Sequence, residues 1–211
     1  MMNLFIDTNR YLILYGLPLK ELKELETLIE LIQDKKITLW LPEQVKNEFY
    51  RNREERLLGY YKKIESLVKE FKDDIKEFPN IPECEEYLGN VDDAQKTIKN
   101  EKTKIRSILE EAKKQFEDKI KKFSFFADDI VKGFFSSATM IPSNKEIVNK
   151  AITRHKLGNP PGKGDSYGDS VIWESLLGEI PEGEDLDFVG ADNHFKSKLD
   201  KNDFSPYLKK E

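Results

Sequence analysis

The chain has 211 residues but only one cysteine, Cys84, and two histidines. A single cysteine excludes an intramolecular disulfide framework and a thiolate metal cluster within one chain, and it fits a reducing compartment. No apolar run approaches membrane-spanning length, and no basic segment with a long apolar stretch opens the chain, so the expectation is a soluble cytoplasmic protein. Positive charge is not in excess either. The 35 Lys and Arg face 40 Asp and Glu, a formal net charge of −5. Nucleic-acid binding therefore cannot rest on bulk electrostatics, and would need a local basic patch or bound cations. Cys84 reads as chemically silent, and His155 and His194 as surface or packing residues rather than an acid/base pair.

With 38% hydrophobic and 36% charged residues, the chain is highly charged yet globular, long enough for one substantial core plus a large insertion. Asp7-Thr8-Asn9 is its first informative stretch. It follows the apolar run Leu4-Phe5-Ile6 and precedes Tyr11 to Leu14, the pattern of a buried strand that turns into a helix. Alone, the triplet reads first as a helix cap. Chemistry becomes the better reading only if other residues partner Asp7 at the carboxyl edge of a sheet, where open α/β folds bind ligands.

Leu22, Leu25, Leu28, Ile29 and Ile32 follow helical spacing, and Ile37 to Leu41 form a second short β-rich run. Pro42 suits the first position of a new helix. There Val45, Glu48 and Phe49 share a face, leaving the Glu48 carboxylate on an apolar stripe. Such a group must be paired, protonated or bound to metal; Arg51 or Arg53 is the ordinary partner. From Leu57 to Phe78 apolar residues alternate at spacings of four and three, and Val91 to Ile120 carry a second such seam. Two long helices joined by a turn at Pro79–Asn90 make an antiparallel hairpin with a solvated Lys/Glu face. The aromatic-rich Ser124–Ser137 segment reads as core packing, with base stacking the minority view. Ser143 to Glu146 spell a capping box for a helix ending near Gly158.

Gly158 to Leu177 begin as a Gly/Pro-rich loop and end as a helix that places Asp169, Ile172, Trp173 and Leu176 on one face. Asp187 to Asp192 read as a last strand with Asp192 at its carboxyl end. Four acids are then placed: Asp7 and Asp192 after strands, Glu48 and Asp169 on apolar helix faces. Parallel strands with right-handed crossovers bring them to one sheet edge. Converging carboxylates repel, and a hard divalent cation such as Mg²⁺ or Mn²⁺ removes that conflict. Such a site suits phosphodiester hydrolysis.

The segments FIDTN, LPEQVKNEF, GDSVIWESLL and FVGAD, in that order, resemble the PIN domain (PilT N-terminus) family of metal-dependent nucleases. The long helical insertion and the GNPPGK loop resemble a bacterial PIN-like subgroup. The resemblance implies a three-layer α/β/α sandwich with a mainly parallel sheet, built from residues 1–53 and 151–211, with an α-helical insertion at 54–150. It implies that Asp7, Glu48, Asp169 and Asp192 hold Mg²⁺ or Mn²⁺ and are the catalytic acids, with Asn9 orienting ligand or water. The polar residue usual two positions before the fourth acid is here Gly190. Lys163, Arg154 and Lys196 are candidate phosphate contacts. The expected function is an endoribonuclease acting on RNA, in a toxin, RNA-decay or phage-defence setting. Two alternatives stay open: a structure-selective DNA nuclease, and a non-catalytic module whose helical hairpin binds a protein partner or a second copy.

Overall fold

The computed structural model describes residues 2–71, 85–162, 166–190, 194–200 and 203–211. Cys84, Lys163, Asp192 and the first part of the expected Pro79–Asn90 turn, up to Cys84, lie outside them. Four short strands form one sheet: β1 (Met2–Ile6), β2 (Ile37–Pro42), β3 (Thr139–Ile141) and β4 (Leu186–Val189). Their order is β3-β2-β1-β4, and every pairing is parallel. The chain therefore adds strands on one side of β1 and then crosses to the other. The reversal falls between β1 and β4, where doubly wound sheets open a crevice at the carboxyl ends of the strands.

Seven α-helices are described: α1 (Thr8–Ile13), α2 (Leu19–Gln33), α3 (Glu43–Glu70), α4 (Glu85–Lys122), α5 (Phe126–Ser137), α6 (Lys145–Lys156) and α7 (Gly168–Glu179). Helices α2 and α5 pack together, as do α6 and α7, and the sheet lies between helical layers as an α/β/α sandwich. Both faces of the sheet are covered, which is why β1 and β2 read as near-continuous apolar runs rather than alternating ones. Phe5, Leu39 and Leu41 are fully buried, with Val45 and Phe49 from α3 and Ile172 and Leu176 from α7 around them. The aromatic segment joins this core. Phe134 and Phe135 of α5 meet Tyr11 with ring centroids 5.9 and 5.1 Å away.

The chain divides into two compact units, Met1–Arg53 with Phe125–Glu211, and Glu54–Ser124. The second boundary lies at Ser124, not at 150 as the sequence suggested. Residues 139–141 pair with β2, and α5 packs on α2, so both belong to the sheet-bearing unit. The helical unit holds the later part of α3 and all of α4, where Lys113 pairs with Glu65 at 3.1 Å and sits over Tyr61. Three local expectations shift. Pro42 closes β2, and the helix begins at Glu43 and continues without a break into the first seam. Helix α4 starts at Glu85, inside the expected turn. The cap of α6 is Asn144, whose side chain accepts from the Ile147 amide, one residue after Ser143.

Arg53 ties three elements of the sheet-bearing unit together. Its guanidinium and the Asp128 carboxylate are each about 2% exposed, and they pair through two bonds of 2.7 and 2.8 Å. The Tyr15 hydroxyl donates to the same carboxylate at 2.5 Å, and burial together with Asp128 pushes its phenol well above the usual range. Asp128 also accepts the Phe125 amide at the start of α5. An isolated charge left here has no water to turn to. Arg53→Met should therefore cost about 3–5 kcal/mol in urea unfolding, whereas Arg53→Met with Asp128→Leu should cost clearly less than the single change.

Candidate active site

The site is built outward from the β1/β4 seam. Ile6 pairs with Val189, and the next amide, that of Asp7, donates to the Val189 carbonyl at 3.0 Å. Asp7 is thus held at the carboxyl end of β1 and is buried. It occupies the cap position of α1 but makes no side-chain cap bond, so capping is not what its carboxylate does. Its charge acts on Tyr11 one turn along: burial, and then Asp7, push the Tyr11 phenol far up. The Tyr11 hydroxyl is buried without a hydrogen-bond partner among the described residues. Thr8 is not a cap either. It is buried in the first turn of α1, and its hydroxyl donates to Glu48 Oε2 at 3.1 Å.

Glu48 sits where α3 passes this edge. Its other oxygen, Oε1, accepts from Gln44 Nε2 at 2.8 Å, one turn earlier on the same helix. Arg51, an expected partner, reaches only 3.9 Å from an exposed position, and Arg53 is committed to Asp128. Neutral donors thus bond both carboxylate oxygens, and the ion pair Glu48 makes among the described residues is the long one of 3.9 Å to exposed Arg51. Helix α7 arrives on top of it. A Cβ built on Gly168 would lie 2.3 Å from Glu48 Oε1 and 3.3 Å from Gln44 Nε2. Only glycine lets the α7 N-terminus come this close.

The next residue, Asp169, stands in the first turn of α7, where the helix dipole favours an anion. Its Oδ2 is 2.9 Å from His194 Nδ1. On the other side, Arg10 reaches from α1 to the Gly190 carbonyl at 2.9 Å, while its Nε is buried without a partner among the described residues. Gly190 has a physical reason to lack a side chain. A Cβ there would meet the Phe188 ring at 2.5 Å, and that ring packs against Phe5 and Phe195 at 4.6 Å each. Serine or threonine does not fit beside this aromatic stack.

Of the expected acids, Asp7, Glu48 and Asp169 come to one edge through Thr8, Gly168 and the β1/β4 pairing. Asp192 lies outside the described residues, between Gly190 and His194 in sequence. Asn9 is exposed at the start of α1, and Lys196 is half-buried in a backbone bridge with Phe204. Arg154 is a correction. Its guanidinium is buried and spent on Glu174 at 2.6 Å, Glu211 at 2.9 Å and the Pro160 carbonyl at 2.5 Å, so it anchors the glycine-proline loop and is not open to phosphate. His194, expected to be a surface or packing residue, is partly exposed and lies beside Asp169. Gln44 had a local signal in its one-turn spacing from Glu48. Arg10, Gly168 and His194 act through tertiary contacts that no local pattern announces.

Oxygen-only donors of this kind suit a hard divalent cation. The acids fit one by chemistry, but among the described residues no group of three His, Cys, Asp or Glu side chains is close enough together to hold an ion. Among the same residues no helix is long and apolar enough to cross a membrane. A family model described as PIN like domain matches residues 3–195. PIN domains are nucleases as a class and typically use divalent metals. No curated protein and no solved structure matches the chain.

Gly168→Ala should destabilise the protein by about 1–3 kcal/mol, because the added methyl must displace Glu48 or the start of α7. In a double-mutant cycle measured by urea unfolding, Glu48→Ala should remove most of that cost.

Proposed function

The chain belongs to the PIN-like domain family, and from that premise we propose that it is a Mg²⁺- or Mn²⁺-dependent endoribonuclease. The observation that carries the reading is that Asp7, Glu48 and Asp169 lie along one edge at the β1/β4 switch point, with neutral donors bonded to both Glu48 oxygens. Asp7, Glu48, Asp169 and Asp192 would hold the metal. When bound, a divalent ion lowers the pKa of its water and offsets charge on the phosphate undergoing attack.

The chain's own groups set the stage for that chemistry. Thr8 and Gln44 donate to the two Glu48 oxygens and fix the carboxylate's plane. His194 does the same for Asp169. Donors of this second rank orient ligand atoms and raise their basicity. Arg10 secures the turn after β4 that leads towards Asp192. Asn9, exposed beside Asp7, is assigned to orient water or a phosphate oxygen, and Lys163 and Lys196 to contact phosphate. The helical unit exposes Ile98, Ile105 and Ile108 on α4, which favours an additional role as a docking surface for a protein partner or second copy.

Purified protein should cleave single-stranded RNA with Mn²⁺ and stop on addition of EDTA, assayed on labelled RNA beside single-stranded and flap DNA. Asp7→Asn or Asp169→Asn should lower the rate by more than about 100-fold, and Thr8→Val by about 10–100-fold, without loss of fold by circular dichroism. Cleavage of flap DNA alone would move the assignment to a DNA nuclease. Wild-type rates in the Asp7→Asn/Asp169→Asn double variant would refute the site.

A further inference from the structure

Two residues before Asp169, Tyr167 stands at the cap position of α7. Ser, Thr, Asp or Asn at a helix cap is worth about 1 kcal/mol over residues that cannot accept from the first amides, and tyrosine makes no cap bond here. The aromatic ring is instead 40% exposed. Its neighbour is the imidazole of His155, at the end of α6, with ring centroids 4.2 Å apart and planes inclined by 45°.

The ground under this pair is built to stay in place. Gly162 follows the Pro160-Pro161 pair with φ +142°, and a Cβ on it would come within 3.0 Å of Ser170 Oγ and 3.4 Å of His155 Nδ1. Ser170 Oγ donates to the Pro161 carbonyl at 2.7 Å, and Arg154 donates to that of Pro160. Loop, imidazole and phenol thus form one layered support, with α7 pinned to it through Ser170. Tyr50, exposed and two residues from Glu48, packs edge-on against Phe49 and Phe135, and Tyr207 has no candidate acid near it in sequence. Two residues of chain place the Tyr167 and Asp169 backbones no more than about 7 Å apart.

We infer that Tyr167, backed by His155, is a stacking subsite for one unpaired nucleobase next to the phosphate cleaved at the acid edge. The inference rests on the nuclease reading and deepens it by naming the residue that holds a base of the substrate. Every base has a π face, so such a platform grips without reading sequence. It also resolves a problem of charge. The acids at this edge repel a phosphate backbone, and the chain's net charge of −5 gives no general attraction. A neutral stacking contact holds the substrate where electrostatics does not. Binding should accordingly depend weakly on salt, unlike grips made of many Lys–phosphate contacts. A base paired within a duplex cannot lie on the platform without leaving its stack.

The test is binding of a short single-stranded RNA carrying 2-aminopurine, with Ca²⁺ replacing Mn²⁺, followed by base fluorescence and by anisotropy of a terminal dye. Wild-type protein and Tyr167→Phe should quench the 2-aminopurine and bind alike. Tyr167→Ala and Tyr167→Leu should lose the quench and bind about tenfold more weakly, with RNA duplex binding unchanged. Tyr167→Leu covers His155 with an apolar side chain that has no π face, so it separates stacking from packing if Tyr167→Ala fails to fold. Wild-type affinity and quenching in Tyr167→Leu, or no quenching by wild-type protein, would overturn the subsite. Stacking without cleavage in Mn²⁺ would keep the subsite and reject the nuclease, and cleavage without stacking would do the reverse.

Discussion

The Glu48 carboxylate is the point on which the candidate site closes. Three helices converge on it: α1 through Thr8, α3 through its own backbone and Gln44, and α7 through the bare Cα of Gly168. Each contact would be lost by a modest change of chemistry, and together they decide where Asp169 stands relative to Asp7. A half-buried carboxylate on an apolar stripe, bonded by neutral donors and with only a 3.9 Å ion pair to exposed Arg51 among the described residues, is a costly feature for a stable fold to carry. Stability alone would favour an apolar residue on that stripe beside Val45 and Phe49. The arrangement makes sense where a cation or a cationic group of a ligand completes it.

The sheet edge was legible because strand ends and helix starts leave local marks. Leu4 to Ile6 and Ile37 to Leu41 are apolar on both faces, as strands covered by two helical layers must be, and the acids follow them or lie one turn into the next helix. Helix α7 was equally clear, with Ile172, Trp173 and Leu176 buried on the face that Asp169 opens. Strand β3 left no such mark. Three residues, Thr139 to Ile141, are too few for any periodicity, and only their pairing with β2 makes them a strand. That omission carried the expected insertion boundary from Ser124 to 150.

Partners of the acids were harder to read than the acids themselves. Thr8 looked like a cap because position and residue type both suit one, yet its hydroxyl is used 40 residues away in sequence. Arg154 looked like a phosphate contact because a cation near a glycine-rich loop suggests one. Burial decides otherwise: a guanidinium with Glu174, Glu211 and a carbonyl around it has its donors spent. His194 went the other way, from a residue with no local signal to a neighbour of Asp169. Gly190 shows how one departure from the family pattern can be local in cause. The Phe188 ring, stacked between Phe5 and Phe195, fills the space a hydroxyl-bearing side chain would need.

Electrostatics then limits how the site can work. The first turn of α7 contributes a partial positive charge worth about 0.3–1 kcal/mol to Asp169. Thr8, Gln44 and His194 supply directed hydrogen bonds. A hydrogen bond from a neutral donor does not neutralise a full charge, and carboxylates brought to one edge repel each other. The protein thus holds its acids in place against a repulsion that it only partly offsets. In the proposed nuclease, a cation shared by the acids would offset the rest. It would also draw a negative substrate phosphate to this edge. The exposed aromatic side chain two residues from Asp169 would add a contact that depends on neither cation nor charge.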